Sequence, residues 1–421
     1  MKKKQKPTIA FLTSQWSNVD DNIRAGKPPG GVPSIARVWT QSLADGFDVH
    51  VFILCETPPD WPKETVELGG VRFHWISKQF RGLSRWLLKK HLLGLVKPLW
   101  LVGQLQMAWR VLRAGIRPDI FYCMRPTFLV IARLLSWHYG AKLVLRNYGT
   151  WLYHLWFEQK RWLPRINALG TLLAHWIPMD LFIMTNDGTR GREVAQWAHF
   201  PMEKFRSWIN GVDKTMRMEG FDKKAFKKEI GVPADSPMLM TLGRLDYWKR
   251  LDRPIDAMPG ILRESPGARL VIVGGGPLEA ELRRRAEQKG VADSVIFIGP
   301  VTHDMIKYYL NATDIFIMPN DLTNMCSTLI EGLICGCCVV TRDVGSTTEV
   351  VTDGRNAVVL QPGEAKDIAE AALRLLKDPQ ERQRLSEEAH RGAMKRFQTW
   401  DERMKMEVQV LKELICSGHT A

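Results

Sequence analysis

The sequence predicts an α/β protein with two domains, each built on a parallel sheet that carries helices on both faces. Its 421 residues exceed what one ordinary hydrophobic core accommodates and favour two domains of roughly 200 residues each. In both halves short apolar runs alternate with amphipathic helical patterns, which is typical of parallel strands joined by helices. A turn-rich segment, Asn210–Asp213, follows an apolar run and predicts the boundary between a domain of residues 1–212 and one of residues 213–399.

The predicted strands are short apolar runs that end in turn residues or charges. In the first half they are Thr8–Leu12, Val49–Leu54, Ile120–Cys123, Lys142–Arg146 and Leu181–Met184. In the second half they are Met238–Leu242, Arg269–Val273, Ser294–Ile298, Asp314–Met318 and Cys337–Thr341. A helix is expected between Pro277 and Gly290. Residues 81–117 have a helical composition, but their glycines and Pro98 argue against one regular interfacial helix.

The net positive charge is confined to the first half of the chain. The formal net charge is +14; residues 1–213 hold 29 Lys and Arg against 15 Asp and Glu, whereas residues 214–421 hold 30 of each. Fourteen of the 16 Trp residues also lie in the first half. This mixture suits an anionic membrane surface, where each Lys or Arg gains about 1 kcal/mol. A solvated basic face over a Trp-rich core is the alternative, and nucleic acid is not expected because no reading motif accompanies the charge.

The cysteines and the start of the chain predict a reduced, cytoplasmic protein that lies at most peripherally on a membrane. The seven Cys residues include no C-x-x-C pair, which argues against a disulfide framework. The basic start leads into no apolar signal sequence, and no run of 18 uncharged apolar residues predicts a membrane span. The segment Cys335–Cys338 resembles a metal site in composition, but its place between a helix and a buried strand favours buried thiols.

Arg244 and Lys249 follow a predicted strand and are candidates for binding a diphosphate. A diphosphate leaving group gains negative charge, which a metal or fixed cations must neutralise. Arg offers two parallel donors and Lys a point charge. The chain contains no Asp-x-Asp pair, so we expect no metal and no cofactor. Two solvated basic residues are the alternative, which is weakened by their place at a strand's carboxyl end, where open sheets bind ligands.

Three further features have both a structural and a functional interpretation. Gly30-Gly31 precedes a helix, so its amides suit a phosphate as well as they suit a flexible turn. Gly274–Gly276 lacks the third glycine of a dinucleotide fingerprint and predicts a tight turn from strand to helix. Glu331 either forms a capping box with Thr328 or accepts hydrogen bonds from the hydroxyls of a ribose.

In their order along the chain, these motifs resemble those of the retaining glycosyltransferases of family 4. The matching residues are Gly30-Gly31, Asn210–Asp213, Gly243-Arg244-Leu245 with Lys249, Val273–Pro277, and Glu331-Gly332 through Gly336. The resemblance covers nearly the whole chain and is strongest from about residue 205 to 400. It implies the GT-B fold, in which two Rossmann-like domains face each other across a cleft. The first domain would bind the acceptor, the second the nucleotide sugar, and a last helix at about 400–421 would return to the first domain.

The resemblance also implies roles for individual residues. Arg244 and Lys249 would bind the donor's phosphates and Glu331 its ribose, and these three are the expected catalytic residues. Thr328 and Leu329 would offer backbone amides, Val301 would lie near the base, and Gly31 would pack on the diphosphate. The full set of expected donor-binding residues is Gly30, Gly31, Val301, Asp321, Thr323, Asn324, Thr328 and Leu329.

Two departures from the family pattern concern the donor sugar and the acceptor. Thr323 stands where the family has the first glutamate of its Glu-x7-Glu motif, with Asp321 and Asn324 close by. Tyr148-Gly149 stands where the family has a His-Gly pair on the acceptor side. These departures leave the donor-sugar contacts and the acceptor open.

The implied function is metal-independent, retaining transfer of a sugar from a UDP- or GDP-sugar at the cytoplasmic face of a membrane. The acceptor would be a glycan or a lipid-linked molecule in the synthesis of surface polysaccharide or glycolipid. Attack would come from the front side, with the leaving phosphate helping to deprotonate the acceptor. A sugar-nucleotide epimerase and a non-catalytic sugar-nucleotide-binding protein of the same fold are the alternatives.

Overall fold

The computed structural model describes residues 6–14, 23, 33–55, 65–77, 93–158, 163–323 and 325–417. The chain divides into two compact units, each with a sheet and a hydrophobic core of its own. The first unit comprises Met1–Thr185, Gly191–Gly211 and Trp400–Ala421, and the second comprises Asn186–Arg190 and Val212–Thr399.

Strands and helices alternate along most of the chain, which confirms the predicted α/β class. The strands are β1 (Thr8–Ser14), β2 (Asp48–Cys55), β3 (Thr65–Leu68), β4 (Val71–Ser77), β5 (Ile120–Cys123), β6 (Lys142–Asn147), β7 (Leu181–Thr185), β8 (Phe205–Trp208), β9 (Met238–Leu242), β10 (Arg269–Val273), β11 (Val295–Gly299), β12 (Ile315–Met318), β13 (Val339–Arg342) and β14 (Val358–Leu360). The helices are α1 (Pro33–Ala44), α2 (Leu93–Arg113), α3 (Leu129–Tyr139), α4 (Leu163–Leu173), α5 (Gly191–Trp197), α6 (Lys223–Glu229), α7 (Asp252–Glu264), α8 (Glu279–Gln288), α9 (His303–Ala312), α10 (Ser327–Cys335), α11 (Ala365–Lys377), α12 (Pro379–Arg396) and α13 (Trp400–Cys416).

The first unit is built on an eight-stranded sheet in the order β3-β4-β2-β1-β5-β6-β7-β8. All its strand pairs are parallel except β3 with β4. The central strands are buried on both faces, so they are continuous apolar runs and are easily recognised in the sequence. The second unit has a six-stranded, wholly parallel sheet in the order β11-β10-β9-β12-β13-β14.

Helix α13 packs in the first unit, where a buried ion cluster anchors it. Glu407 of α13 pairs with Arg146 of β6 and lies 2.8 Å from Nη2 of Arg403. The hydroxyl of Tyr122 donates to Oε1 of the same carboxylate, and Arg403 stacks on the ring of Trp208 at 4.3 Å. Burial would raise the pKa of Glu407, but Arg146 and Arg403 hold it below its ordinary value, so the carboxylate is charged.

A second polar cluster lies within the first sheet. Nη1 of Arg72 lies 2.9 Å from Nε2 of His50; because Arg can only donate, His50 carries its proton on Nδ1. That proton is donated to Nε2 of His74 at 2.9 Å, so His74 in turn donates from Nδ1 to Oγ1 of Thr65 at 3.2 Å. Burial lowers the pKa of both imidazoles, that of His74 to about 3.

The structure corrects the predicted elements in two respects. Helix α2 runs without a break through Gly94, Pro98 and Gly103, so the expected interruption was wrong. The small residue at 103 serves packing, because a Cβ there would come within 3.0 Å of Leu54 on β2. Four strands were not predicted from the sequence: β3, β4, β8 and β14. In β3, β4 and β8 charged or polar side chains interrupt the apolar pattern, and β14 has only three residues.

Candidate functional site

The second sheet reverses its strand order beside β9. From β9 the chain continues outward through β10 and β11, and then crosses to β12 on the other side of β9. In open parallel sheets the crevice at such a switch point, outside the carboxyl ends of the strands, is where ligands bind. The segment 243–249 follows β9, and the segment 319–331 follows β12. The three expected catalytic residues and four of the eight predicted donor-binding residues therefore lie in segments at this one edge of the second sheet.

The two predicted phosphate-binding cations lie together in the segment after β9. Lys249 ends a short 3₁₀ turn and is only 8% exposed, with Nζ 4.2 Å from the ring centroid of Trp248. Its ammonium folds back over the strand end, because a Cβ built on Gly243 would lie 3.8 Å from Nζ. The side chain of Arg244 is 71% exposed, and its Nε lies 3.5 Å from Oδ2 of Asp246. A buried ammonium and an exposed guanidinium thus flank the same strand end.

The glycines after β10 allow the backbone to close on this segment. A Cβ on Gly274 would lie 1.9 Å from the carbonyl oxygen of Gly243, and one on Gly276 would lie 2.4 Å from that of Leu245. The amide of Leu245 donates to the carbonyl of Gly275 at 3.1 Å. The run of glycines therefore makes a tight turn, as predicted, and holds the Arg244 loop in place.

The amino end of α10 is open to an anion. The helix begins at Ser327 after Cys326, which supplies no side-chain cap, and its first turn contains no acidic residue. The first amides of any α-helix lack intrahelical partners and carry partial positive charge. The amides of Thr328 and Leu329, both predicted to bind donor, are among them. A helix start of this kind beside fixed cations suits a phosphate group.

Glu331 is buried, and its partner is a histidine that the sequence did not single out. Oε1 of Glu331 lies 3.0 Å from Nε2 of His303, the first residue of α9. This hydrogen bond raises the pKa of His303 above its ordinary value. The capping-box interpretation is wrong, because Cys326 is the N-cap residue and Thr328 lies inside the helix. Val301, half-buried, lies two residues before His303 in the same connection.

Asp321 is held by arginines that the sequence did not predict as its partners. It accepts hydrogen bonds from Nη1 of Arg250 at 2.8 Å and from Nη1 of Arg253 at 2.6 Å. It also pairs with Arg342. Burial would raise the pKa of Asp321, but the hydrogen bonds from Arg250 and Arg253 lower it. Arg253 belongs to α7, so the carboxylate fastens the loop after β12 to that helix.

Thr323, at the place of the family's first glutamate, is buried and fully engaged. Its Oγ1 donates to the carbonyl of Asp187 at 2.9 Å and accepts from the amide of Met325 at 3.0 Å. Thr323 therefore fastens the segment 186–190 within the second unit. Burial raises the pKa of Asp187 itself to about 6. The neighbouring predicted residue Asn324 lies outside the described residues, as do Gly30 and Gly31.

The predicted acceptor-side pair lies in the first unit. Tyr148 and Gly149 follow β6 and line a cavity of about 790 Å³ at the carboxyl edge of the first sheet. Gly149 has φ 93°, a conformation that favours glycine. The ring of Tyr148 lies 5.2 Å from the guanidinium carbon of Arg146, which links this edge to the buried ion cluster of α13.

The described residues contain no group of three or more His, Cys, Asp or Glu side chains arranged to hold a metal ion. Burial raises the pKa of the Cys335 and Cys338 thiols to about 12, and that of Cys337 also, in keeping with inert thiols. None of the described helices is both long and apolar enough to cross a membrane.

Comparisons with known proteins find a family match within the second unit. Residues 222–392 match the family described as Glycosyl transferases group 1. The chain is 30% identical over 248 residues to a D-inositol 3-phosphate glycosyltransferase of Acidothermus cellulolyticus, covering 57% of this chain and 54% of that protein. It is 31% identical over 176 residues to a GDP-mannose-dependent alpha-(1-6)-phosphatidylinositol monomannoside mannosyltransferase of Mycolicibacterium smegmatis, covering 40% and 46%. The chain thus spans about half the length of the curated relatives it matches.

Among solved structures, HepE of Anabaena in complex with UDP is similar over 96% of this chain and 99% of that one, with a TM-score of 0.69 and 18% identity. This likeness shows the fold, which is the α/β fold of GT-B glycosyltransferases. Over the residues that match the family and the named relatives, the chain is therefore similar to glycosyltransferases.

Proposed function

We propose that the protein is a retaining, metal-independent glycosyltransferase that uses a nucleotide-diphosphate sugar as its donor. The observation that carries the proposal is the edge of the second sheet within the group 1 domain. There a buried ammonium, an exposed guanidinium and an uncapped helix start converge on one switch point. Such an edge suits a diphosphate that gains charge as its bond to the sugar breaks.

Each group has a distinct task in this proposal. Lys249 and Arg244 neutralise the departing diphosphate, and the amides of Thr328 and Leu329 donate to its oxygens. Glu331, oriented by His303, accepts hydrogen bonds from the ribose. The carboxylates of Glu331 and Asp321 are engaged by His303 and by arginines. In this proposal the leaving phosphate therefore helps to deprotonate an acceptor that attacks from the front side. The relatives' names mention GDP-mannose and the complex of HepE contains UDP, which supports a GDP- or UDP-sugar as donor.

The assignment to a membrane surface rests on α2 and α3, which pack on each other in the first unit. Both helices have exposed apolar stripes, here called the α2/α3 face: Leu101, Leu105, Trp109 and Leu112 on α2, and Val130, Leu134 and Trp137 on α3. Arg113 stacks on Trp109 at 4.1 Å, and Arg133 on Trp137 at 4.6 Å. Indole rings paired with cations suit the headgroup region of an anionic bilayer. We therefore place the protein peripherally on the cytoplasmic face, acting on a glycan or lipid-linked acceptor in surface polysaccharide or glycolipid synthesis.

The donor site is tested by binding and transfer together. Thermal unfolding measured with UDP- and GDP-sugars should reveal the base, since ligand at 100 times its Kd adds about 2.7 kcal/mol of stability. Arg244→Ala should lower transfer by about 30- to 900-fold, which corresponds to ~2–4 kcal/mol of lost transition-state stabilisation. Arg284→Ala, an exposed arginine of α8, is the matched control. Transfer that is unchanged in Arg244→Ala, or that needs added magnesium after chelation, would refute the mechanism.

The membrane assignment is tested with vesicles. The protein should bind vesicles containing phosphatidylglycerol more tightly than vesicles of phosphatidylcholine alone, and added salt should remove the difference. Trp109→Asp and Trp137→Asp should each weaken binding. Equal binding to both kinds of vesicle at low salt would exclude this part of the proposal.

One observation favours a second candidate, a non-catalytic sugar-nucleotide-binding protein. Thr323 replaces the family's glutamate, and its hydroxyl is committed to the backbone of Asp187. The two candidates differ in one assay, in which donor and membrane extract are incubated and both free nucleotide and glycosylated product are measured. Tight donor binding without product or released nucleotide would favour the second candidate. In a separate incubation of the donor without membrane extract, isomerisation of its sugar would indicate an epimerase.

A further inference from the structure

The 790 Å³ cavity of the first unit has two chemically different walls. Its volume lies within the range of small-molecule sites. One wall is the carboxyl edge of the sheet, where Arg125 follows β5 and Asn147 ends β6. Because β5 and β6 are paired and parallel, these two polar side chains start from neighbouring strand ends. Desolvation lowers the pKa of the Arg125 guanidinium, which remains a cation at neutral pH.

The other wall is apolar. It is formed by the segment after β6 and by the helical stretch that begins with α4, through Trp151, Leu152, Leu155, Ala168 and Leu173. An anion alone would need no wall of this size and composition. A cation beside a long apolar wall matches a ligand with a charged head and a hydrocarbon chain.

The apolar wall continues onto the surface of the unit. Val130 and Leu173 line the cavity, yet they are 57% and 47% exposed. Val130 begins the α3 stripe of the α2/α3 face, which continues through Leu134 and Trp137. Exposed apolar surface of this kind marks contact with a membrane or another apolar partner. A hydrocarbon chain lying in the cavity could therefore leave it over Val130.

We propose that this cavity binds the acceptor as an anionic lipid, with a phosphate at Arg125 and Asn147 and the hydrocarbon chain along Leu155, Ala168 and Leu173. The chain leaves over Val130 toward the α2/α3 face and the bilayer. Calling this lipid the acceptor rests on the proposed function, but the lipid-binding site itself is tested without any transfer reaction.

The test uses soluble alkyl phosphates as probes for the full-length protein. Calorimetry would measure the Kd of butyl, hexyl and octyl phosphate below their micellar concentrations, with inorganic phosphate and octanol for comparison. Each methylene that enters the cavity should tighten binding about three- to fourfold. Inorganic phosphate and octanol should each bind much more weakly than octyl phosphate, because each contacts only one of the two walls of the cavity.

Variants assign the binding to this cavity. Arg125→Ala should weaken the binding of octyl phosphate by about 10- to 150-fold. Arg117→Ala, an exposed arginine at the opposite, amino end of β5, should leave binding unchanged. Ala168→Trp should fill the cavity and remove the dependence on chain length, and Leu155→Glu provides a second, smaller disruption if the first variant does not fold.

The outcomes separate this inference from the proposed function. The lipid site is supported if Ala168→Trp or Leu155→Glu removes the dependence of the Kd on chain length. Thermal unfolding and nucleotide-sugar binding of the variant must be retained. Affinity that does not change with chain length, or inorganic phosphate that binds as tightly as octyl phosphate, overturns it. A chain-length effect that survives both variants also overturns it. If nucleotide sugars neither bind nor react while the lipid site holds, the proposed function fails and the site stands.

Discussion

Removing the charge of Glu407 should uncouple α13 from the rest of the first unit. The carboxylate is 1% exposed and faces two guanidinium groups, those of Arg146 and Arg403, which are equally buried. Glu407→Gln keeps the side-chain volume and an acceptor for the hydroxyl of Tyr122. It leaves two buried cations without an opposing charge, and that electrostatic change dominates the effect.

The magnitude follows from the burial. Breaking a buried ion pair by removing one partner costs about 3–5 kcal/mol. That range is a factor of roughly 160–5000 in the unfolding equilibrium. For a domain of this size each kcal/mol shifts Tm by about 2–4 °C, so the expected loss is roughly 6–20 °C. Glu413→Gln on the exposed side of α13 should change the free energy of unfolding by less than about 0.5 kcal/mol.

Urea denaturation followed by tryptophan fluorescence measures this loss, because Trp208 stacks on Arg403 and most Trp residues belong to the first half of the chain. The pH dependence gives an independent check. The pKa of Glu407 is depressed in the fold, so its contribution is present above the unfolded value near 4.5 and is lost as pH falls through the folded value. Glu407→Gln should lack that acid-sensitive part. An unfolding free energy within 1 kcal/mol of the parent protein would show that the cluster is not what anchors α13.

Three further predictions concern the glycine turn and the titrating histidines. Gly276→Ala should abolish nucleotide-sugar binding, since its Cβ would collide with the backbone of the Arg244 loop, whereas Gly392→Ala meets open space and should not; thermal-shift titration compares the two. The pKa of His303, measured by NMR, should exceed 6.5 and should return toward 6.5 in Glu331→Gln. The contribution of the His303–Glu331 pair to the free energy of unfolding should be present below pH 6.5 and be lost as pH rises through the folded pKa. The pKa of His74 is about 3 in the folded protein, so the free energy of unfolding should fall by up to ~1.4 kcal/mol per pH unit as pH falls from about 6.5 toward 3. In urea denaturation, His74→Gln should make the free energy of unfolding less dependent on pH over this range.

Most strands that sequence reasoning found have both faces buried; the partly exposed edge strand β11 is the exception. Strands such as β5, β9 and β10 are continuous apolar runs, and their predicted bounds agree with the structure. Strands at a sheet edge lose that pattern, because one face or one end meets solvent. β3 lies at the sheet edge, whereas its antiparallel partner β4 lies inside the sheet, where Arg72 and His74 interrupt the apolar residues. No single-sequence pattern distinguishes such a pair from a polar loop.

The candidate site divides in the same way between local and long-range information. The Arg244 loop and the polar loop that leads into α10 are local motifs, so residue types and spacing indicated where they lie. The roles expected of Thr328 and Leu329 came from the family resemblance. The partners of Glu331 and Asp321 come from elements far away in the chain. His303 lies 28 residues before Glu331, and Arg250 lies 71 residues before Asp321. The strand order of the sheet brings these residues together, and local residue patterns do not reveal that order.

The distribution of charge separates the two binding events proposed here. In the second half Arg250 and Arg253 are paired with Asp321, and the overall charge of that half is zero. In the first half basic residues outnumber acidic ones about two to one, so much of the cationic surface has no acidic counterpart there. Exposed charges are screened by salt far more than buried ones. Raising the ionic strength should therefore release the protein from anionic vesicles, while nucleotide-sugar binding at the buried Lys249 should persist.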